Sequence, residues 1–195
     1  AAIQELEGET ISLVAAKYWC GTGLGDPGRW THQMALSGGQ ILEQATHTID
    51  TMRYLFGEIE EVYTQRAFRQ LHEIDCPDTH IVTVQFESGV LGSLTTNWTY
   101  DLTDWSHSNV IEVLYGQNLL RWDSGKVSIT ENGQTRTLET TDKGIDEVFV
   151  KAVRTKDSSM IRSSYDDAVK SLAVSLAIIE SGEKGEPVRI VEVRT

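Results

Sequence analysis

The chain has 195 residues, 39% of them hydrophobic and 24% charged, a composition that suits a single globular domain with a sizeable core. Its formal net charge of -12 argues against nucleic acid or an anionic membrane as the main partner. No run of about 18 apolar residues is present, so no transmembrane helix is expected.

Residues 1–10 are acidic and weakly patterned, without the basic-then-apolar layout of a signal peptide. Residues 11–19 (ISLVAAKYW) read as a buried strand, with Trp19 in the core. Residues 20–30 (CGTGLGDPGRW) read as a loop. Gly21, Gly23 and Gly25 follow a strand, as in a dinucleotide-binding turn, but that fingerprint must open a helix. Here Asp26-Pro27-Gly28 intervenes and no helical pattern begins, so a plain loop is expected.

Residues 41–56 form a helical pattern behind Gly38 and Gly39, with Gly57 at the stop. Ile41, Ala45, Ile49, Met52, Leu55 and Phe56 share one side, and Glu43, His47, Asp50 and Tyr54 the other. Glu43 and His47 are four apart and His47 and Asp50 three apart, so they are neighbours on one ridge. A carboxylate beside an imidazole orients it and tunes its proton affinity, which suits proton transfer. A plain solvated face is the competing reading. A metal site would need a third ligand, and His32, His72, His80 and His107 lack ligand spacing, so no metal is assigned.

Strands follow at residues 60–69, 80–86 and 90–98, the last two joined by a short hairpin loop at 87–89. Four more are expected at 109–115, 119–122, 126–130 and 135–139, with short connections that imply antiparallel neighbours. Residues 144–154 read as a helix. Residues 164–180 read as a second, broadly apolar and buried helix, opened by Ser164 and Asp167 and ended by Gly182 and Gly185. Residues 187–193 give a last strand. The sum is one α+β domain: a large, mainly antiparallel, open-faced sheet with helices on one face. Too few helices are available for both faces, which points to a homo-oligomer built through the bare one. Cys20 and Cys76 make no disulfide framework, so a reducing, cytoplasmic compartment is expected.

Residues 37–57 resemble the C-terminal domain of the glucose–fructose oxidoreductase / inositol dehydrogenase (Gfo/Idh/MocA) family. That family carries G-G-x-x-x-[DE]-x-x-x-H-x-x-D, then a Leu-rich helix end and Gly-Glu. Here these are Gly38, Gly39, Glu43, His47 and Asp50, with Gly57-Glu58 after the helix. Tyr165-Asp166-Asp167-Ala168, the 177–181 segment, Gly185 and Pro187-Val188 match a second stretch, and Trp30 a third. The likeness runs in order over most of the chain.

The resemblance implies the substrate-binding and oligomerisation half of a two-domain oxidoreductase acting on a hydroxyl or carbonyl of a sugar, inositol or other polyol. NAD or NADP would be held by an N-terminal dinucleotide-binding domain that this sequence lacks, so this half alone is expected to bind no cofactor and to be inactive. His47 sits at the family's catalytic histidine and Glu43 where many members have aspartate. Arg29, Trp30 and Asp50 are the candidate substrate contacts, and Arg29 and Trp30 bring charge and a stacking ring. The alternative is a stand-alone carbohydrate-binding or scaffold domain using Trp98, Tyr100 and Trp105, a stretch that packing at the core or an interface also explains.

Overall fold

The computed structural model describes residues 2–22, 24–101, 105, 107–139 and 144–191. A short helix α1 (Ala2–Leu6) leads into β1 (Ile11–Trp19), whose even-numbered residues Val14 and Ala16 are buried. A 3-10 turn (Trp30–His32), a short helix α2 (Met34–Ser37), a π-helical turn (Ile41–Ala45) and α3 (Thr46–Phe56) follow. Next come β2 (Ile59–Ala67), β3 (Thr79–Phe86), β4 (Leu91–Asn97), β5 (Asn109–Tyr115), β6 (Asn118–Asp123), β7 (Lys126–Glu131) and β8 (Gln134–Leu138). Helices α4 (Ile145–Thr155) and α5 (Tyr165–Lys184) and a two-residue β9 (Val188–Arg189) complete the described elements.

The nine strands form one sheet in the order β8-β7-β6-β5-β1-β4-β3-β2-β9. Each neighbouring pair is antiparallel except β1 and β4, which run parallel at the centre. Parallel neighbours need a long crossover. The chain supplies it by passing through α3 on one face and returning by way of β2 and β3.

Strand alternation sorts the two faces. Val14, Val62, Val82, Val84, Leu94, Ile111, Val113, Leu120 and Ile129 are buried and pack with Ile41, Ala45, Ile49, Met52 and Phe56 from the helical layer. The opposite face carries Leu13, Ala15, Lys17 and Trp19 of β1, with Leu13 beside Leu114 in register. The helices that build the core, α1, α3 and α5, pack on the other side. Trp19 therefore departs from the core position expected of it. An odd position in β1 puts it on the bare face, 38% exposed, where its indole N–H donates to Thr95 Oγ1 and Lys17 Nζ lies 4.4 Å from the ring centre.

Helix α5 also differs from its expected form. It runs through Gly182, because its inner stripe is built of small residues. Ser171, Ser175 and Ser181 are buried, and a Cβ on Gly182 would stand 3.2 Å from Arg66 Cδ and 3.3 Å from Thr64 Cγ2 of β2. Val174, Ala177 and Ile178 of the expected apolar face are buried in the core beside these small residues, whereas Leu172 and Leu176 point outward at 45% and 50% exposure. The expected N-terminal cap is present, with Ser164 Oγ accepting from the Asp167 N–H. The last strand shrinks to β9, and residues 192–193 of the expected strand lie outside the described residues.

Candidate active site

Gly38 and Gly39 both adopt left-handed backbone, with φ of 72° and 71°. Gly38 closes α2 through its N–H on the Met34 carbonyl, and a Cβ there would strike Leu42. This paired reversal aims the next segment along the ends of β4, β1 and β5.

The segment does not begin as a regular α-helix. Residues 41–45 form one π turn, in which the Thr46 N–H reaches back five residues to the Ile41 carbonyl. Single π turns recur at functional sites because the wider turn rotates the side chains around it. Buried polar side chains anchor it. Gln40 Oε1 accepts from Thr96 Oγ1 of β4 at 2.7 Å. Gln44 Oε1 accepts from Trp98 Nε1 at 2.6 Å and Cys20 Sγ at 2.9 Å, while its Nε2 donates to Thr22 Oγ1 at 2.6 Å. Thr48 Oγ1 donates to Asn109 Oδ1 of β5 at 2.8 Å. The spacing 40, 44, 48 thus makes a polar seam along the strand ends.

The exposed flank holds the residues singled out by sequence. His47 is exposed, and no side chain hydrogen-bonds its ring among the described residues. Glu43 is half-buried. Its Oε2 is shut from solvent without a hydrogen-bond partner among the described residues. Burial holds this carboxyl above the usual carboxylate range, against the opposing pull of His47, Arg29 and His32. Arg29 and Trp30 are both exposed, Trp30 at 56%, at the end of the glycine-rich loop. Glu43, His47 and Arg29 therefore share one electrostatic neighbourhood. Asp50 turns from it: its Oδ1 accepts from Ser171 Oγ at 2.7 Å and lies 3.9 Å from Arg53 Nη1, both on the side facing α5.

Two residues that sequence reasoning passed over complete the surroundings. His32 is buried against the edge of Trp98, ring centres 5.9 Å apart, and its ring nitrogens lie 2.8 Å from the Asp26 and Thr22 carbonyl oxygens. It fastens the 22–32 loop, and no periodicity in the sequence marks a loop residue of this kind. Tyr18 is the even-numbered residue at the end of β1. Burial, reinforced by the neighbouring Cys20 and Glu43, pushes its phenol up to about 12, so it stays protonated beside the carboxylate.

Trp98 is fully buried, whereas Tyr100 and Trp105 are exposed at 50% and 59%. The loop at residues 20–29 leads into the three-residue 3-10 turn Trp30–His32 rather than opening directly into an α-helix that could seat a pyrophosphate. The described part of that loop does not have the form of a dinucleotide cradle. Among the described residues no group of three or more His, Cys, Asp or Glu is placed to hold a metal ion.

An open-faced α+β sheet with an acid–imidazole pair on its helical layer is the class that fold and site define. The sequence matches the GFO/IDH/MocA C-terminal domain over residues 4–117, and the chain belongs to that family. No curated protein matches it by sequence. Solved structures share the fold. Levoglucosan dehydrogenase in complex with NADH and levoglucosan is 19% identical, with a TM-score of 0.81 over 98% of this chain and 63% of that one. Aldose-aldose oxidoreductase from Caulobacter crescentus is 17% identical, with a TM-score of 0.79 over 96% and 59%. An NAD binding oxidoreductase from Klebsiella pneumoniae is 18% identical, with a TM-score of 0.79 over 98% and 62%. The chain spans about three fifths of the length of these structures.

Proposed function

We propose that this chain is the substrate-binding half of an NAD(P)-dependent oxidoreductase that acts on a hydroxyl or carbonyl of a sugar, inositol or other polyol. The observation that carries this reading is the Glu43–His47 pair: an exposed imidazole beside a carboxyl whose inner oxygen has no partner. Family membership and the sugar oxidoreductases among the structural neighbours support it. A nicotinamide, when bound, accepts or gives the hydride. The dinucleotide is held by a separate N-terminal domain, and this half alone does not turn over.

His47 takes the hydroxyl proton as the carbonyl forms, and returns it in the reverse direction. Glu43 orients the imidazole from its half-buried position beside it. Arg29 and Trp30 hold the polar and ring faces of the substrate. Asp50, through Ser171, keeps α3 and α5 together beside the ridge. The bare sheet face forms the contact in a homo-oligomer, and the two free, buried cysteines fit a cytoplasmic location. Light scattering at micromolar concentration tests the oligomer, and a monomeric mass would contradict it.

The test of function is His47→Ala in the full-length enzyme. Turnover should fall by roughly 10²–10⁴-fold with nucleotide affinity unchanged; unaltered turnover would remove His47 from the chemistry. A second reading rests on one observation, a groove of about 610 Å³ lined by Lys17, Trp19, Asn97 and Tyr100 among others. It suits a non-catalytic carbohydrate-binding surface. Saturable tryptophan fluorescence changes on sugar titration, lost in Trp19→Ala, would support it.

A further inference from the structure

The bare sheet face changes character along its strands. At the starts of β1 and β4 it carries Leu13, beside Leu114 in register, and Leu91, all exposed. At the other ends of the same strands lies the groove of about 610 Å³, lined by Lys17, Trp19, Ile81, Asn97, Tyr100 and His107 among others. A volume of that order suits a small ligand.

The side chains around the groove are held in place. Trp19 Nε1 donates to Thr95 Oγ1 at 3.1 Å. Asn97 Nδ2 donates to Thr79 Oγ1 at 3.1 Å, and its Oδ1 accepts from the Thr99 N–H and Oγ1, both at 2.8 Å. His107 takes left-handed backbone, φ 63°, which is uncommon for a residue other than glycine. There its N–H donates to Asp123 Oδ1 and its Nδ1–H to Asp123 Oδ2. Asp123 also accepts from Arg121 at 3.0 Å, and Arg121 pairs with Glu112. With Nδ1 engaged by a carboxylate, the ring keeps Nε2 for a ligand.

The charge of the groove runs against that of the chain. The sequence has 29 Asp and Glu against 17 Lys and Arg, yet among the described residues none that lines the groove is acidic. Glu112 and Asp123, on the neighbouring strands β5 and β6, are already matched by Arg121 and His107. Lys17 Nζ lies 4.4 Å from the Trp19 ring centre, so a cation and an aromatic plate come as a unit. Beside an oriented imidazole, that unit matches a ring bearing an anionic oxygen group.

We propose that this groove, on the sheet face opposite the Glu43–His47 flank, binds a sugar that carries a phosphate or carboxylate group. Lys17 and His107 take the anionic oxygens, and Trp19 and Tyr100 flank the ring. The leucine end of the face is left to a second copy. Unlike a surface for neutral carbohydrate, this site depends on charge, and it does not rest on the reaction assigned to His47. The test is calorimetric titration of the full-length protein with glucose 6-phosphate and with glucuronate, with glucose as the neutral control. At least one of the two anions should saturate the protein and bind about 10-fold or more tightly than glucose, and the one that does identifies the anionic group. Lys17→Ala should weaken that binding by about 10-fold or more. His107→Asn, which tolerates the same backbone, should weaken it too, and both variants should keep the wild-type unfolding midpoint. His47→Ala should leave the binding unchanged. Binding lost in His47→Ala and kept in Lys17→Ala would overturn the proposal. So would glucose binding as tightly as the anions, or no saturation by either anion at millimolar concentration.

Discussion

The two flanks of the helix that carries His47 treat their polar groups in opposite ways. Toward the strands, Gln44 and Thr48 are buried and bonded, and one glutamine joins Trp98, Cys20 and Thr22. On the outer flank, among the described residues, the Glu43 inner oxygen is shut from solvent without a hydrogen-bond partner and the exposed His47 ring is held by no side chain. A paired buried group rigidifies its surroundings, and an unpaired one carries a free-energy cost unless something arrives to meet it. The contrast separates a foundation that fixes geometry from the flank that we propose meets the substrate.

Substitutions on each flank sharpen that division. The largest effect is expected at Arg53, behind the ridge, where an arginine only 6% exposed bonds Glu58, Asp167 and Ser171 through its guanidinium. Arg53→Ala should destabilise the fold by about 3–5 kcal/mol in urea unfolding. Its pH dependence follows from Glu58, whose bonds to Arg53, set against burial, hold its carboxyl below the usual range. A lowered folded-state pKa stabilises above the ordinary carboxylate pKa and is lost as pH falls through the lowered value. Wild type should therefore lose stability through that acid window, and Arg53→Ala should show much less of this slope.

Gln44→Ala comes next. It strands the Trp98 N–H in the interior and should cost about 2–3 kcal/mol, with a matching loss of near-ultraviolet tryptophan signal. Thr48→Val removes one bond to Asn109 and should cost about 1 kcal/mol. On the outer flank the sign reverses. Burial raises the Glu43 carboxyl, so its ionisation opposes folding above the ordinary carboxylate pKa. Glu43→Gln should raise the unfolding midpoint at neutral pH, leave it unchanged well below the ordinary pKa, and lower turnover in the full-length enzyme. A loss of stability at neutral pH would show that Glu43 belongs to the foundation instead.

Much of this architecture is legible in the sequence. The strand series β3 to β8 is marked by alternation and by glycine turns, and the buried side of α3 by Ile41, Ala45, Ile49, Met52 and Phe56. The exposure of His47 and Tyr54 follows from the same wheel. The π turn does not, because it depends on where Thr96, Trp98 and Asn109 come to rest after the sheet has formed. An ideal wheel also joins Asp50 to His47, whereas Ser171, which lies 121 positions away, takes Asp50 to the other side. In α5 the periodicity marks Val174 and Ile178, which are buried, but not Ser181 and Gly182, which line the close approach to β2. Trp19 and α4 show the same limit from the other direction: apolar character in a sequence does not by itself place a residue in the core, and both are exposed here.

The most direct measurement is the rate of NAD(P)⁺ reduction by the full-length enzyme, wild type against His47→Ala, with a polyol substrate and with nucleotide affinity followed on the same samples. The variant should be slower by roughly 10²–10⁴-fold at the same nucleotide affinity. A variant that keeps the wild-type rate would contradict the assignment of the proton to His47.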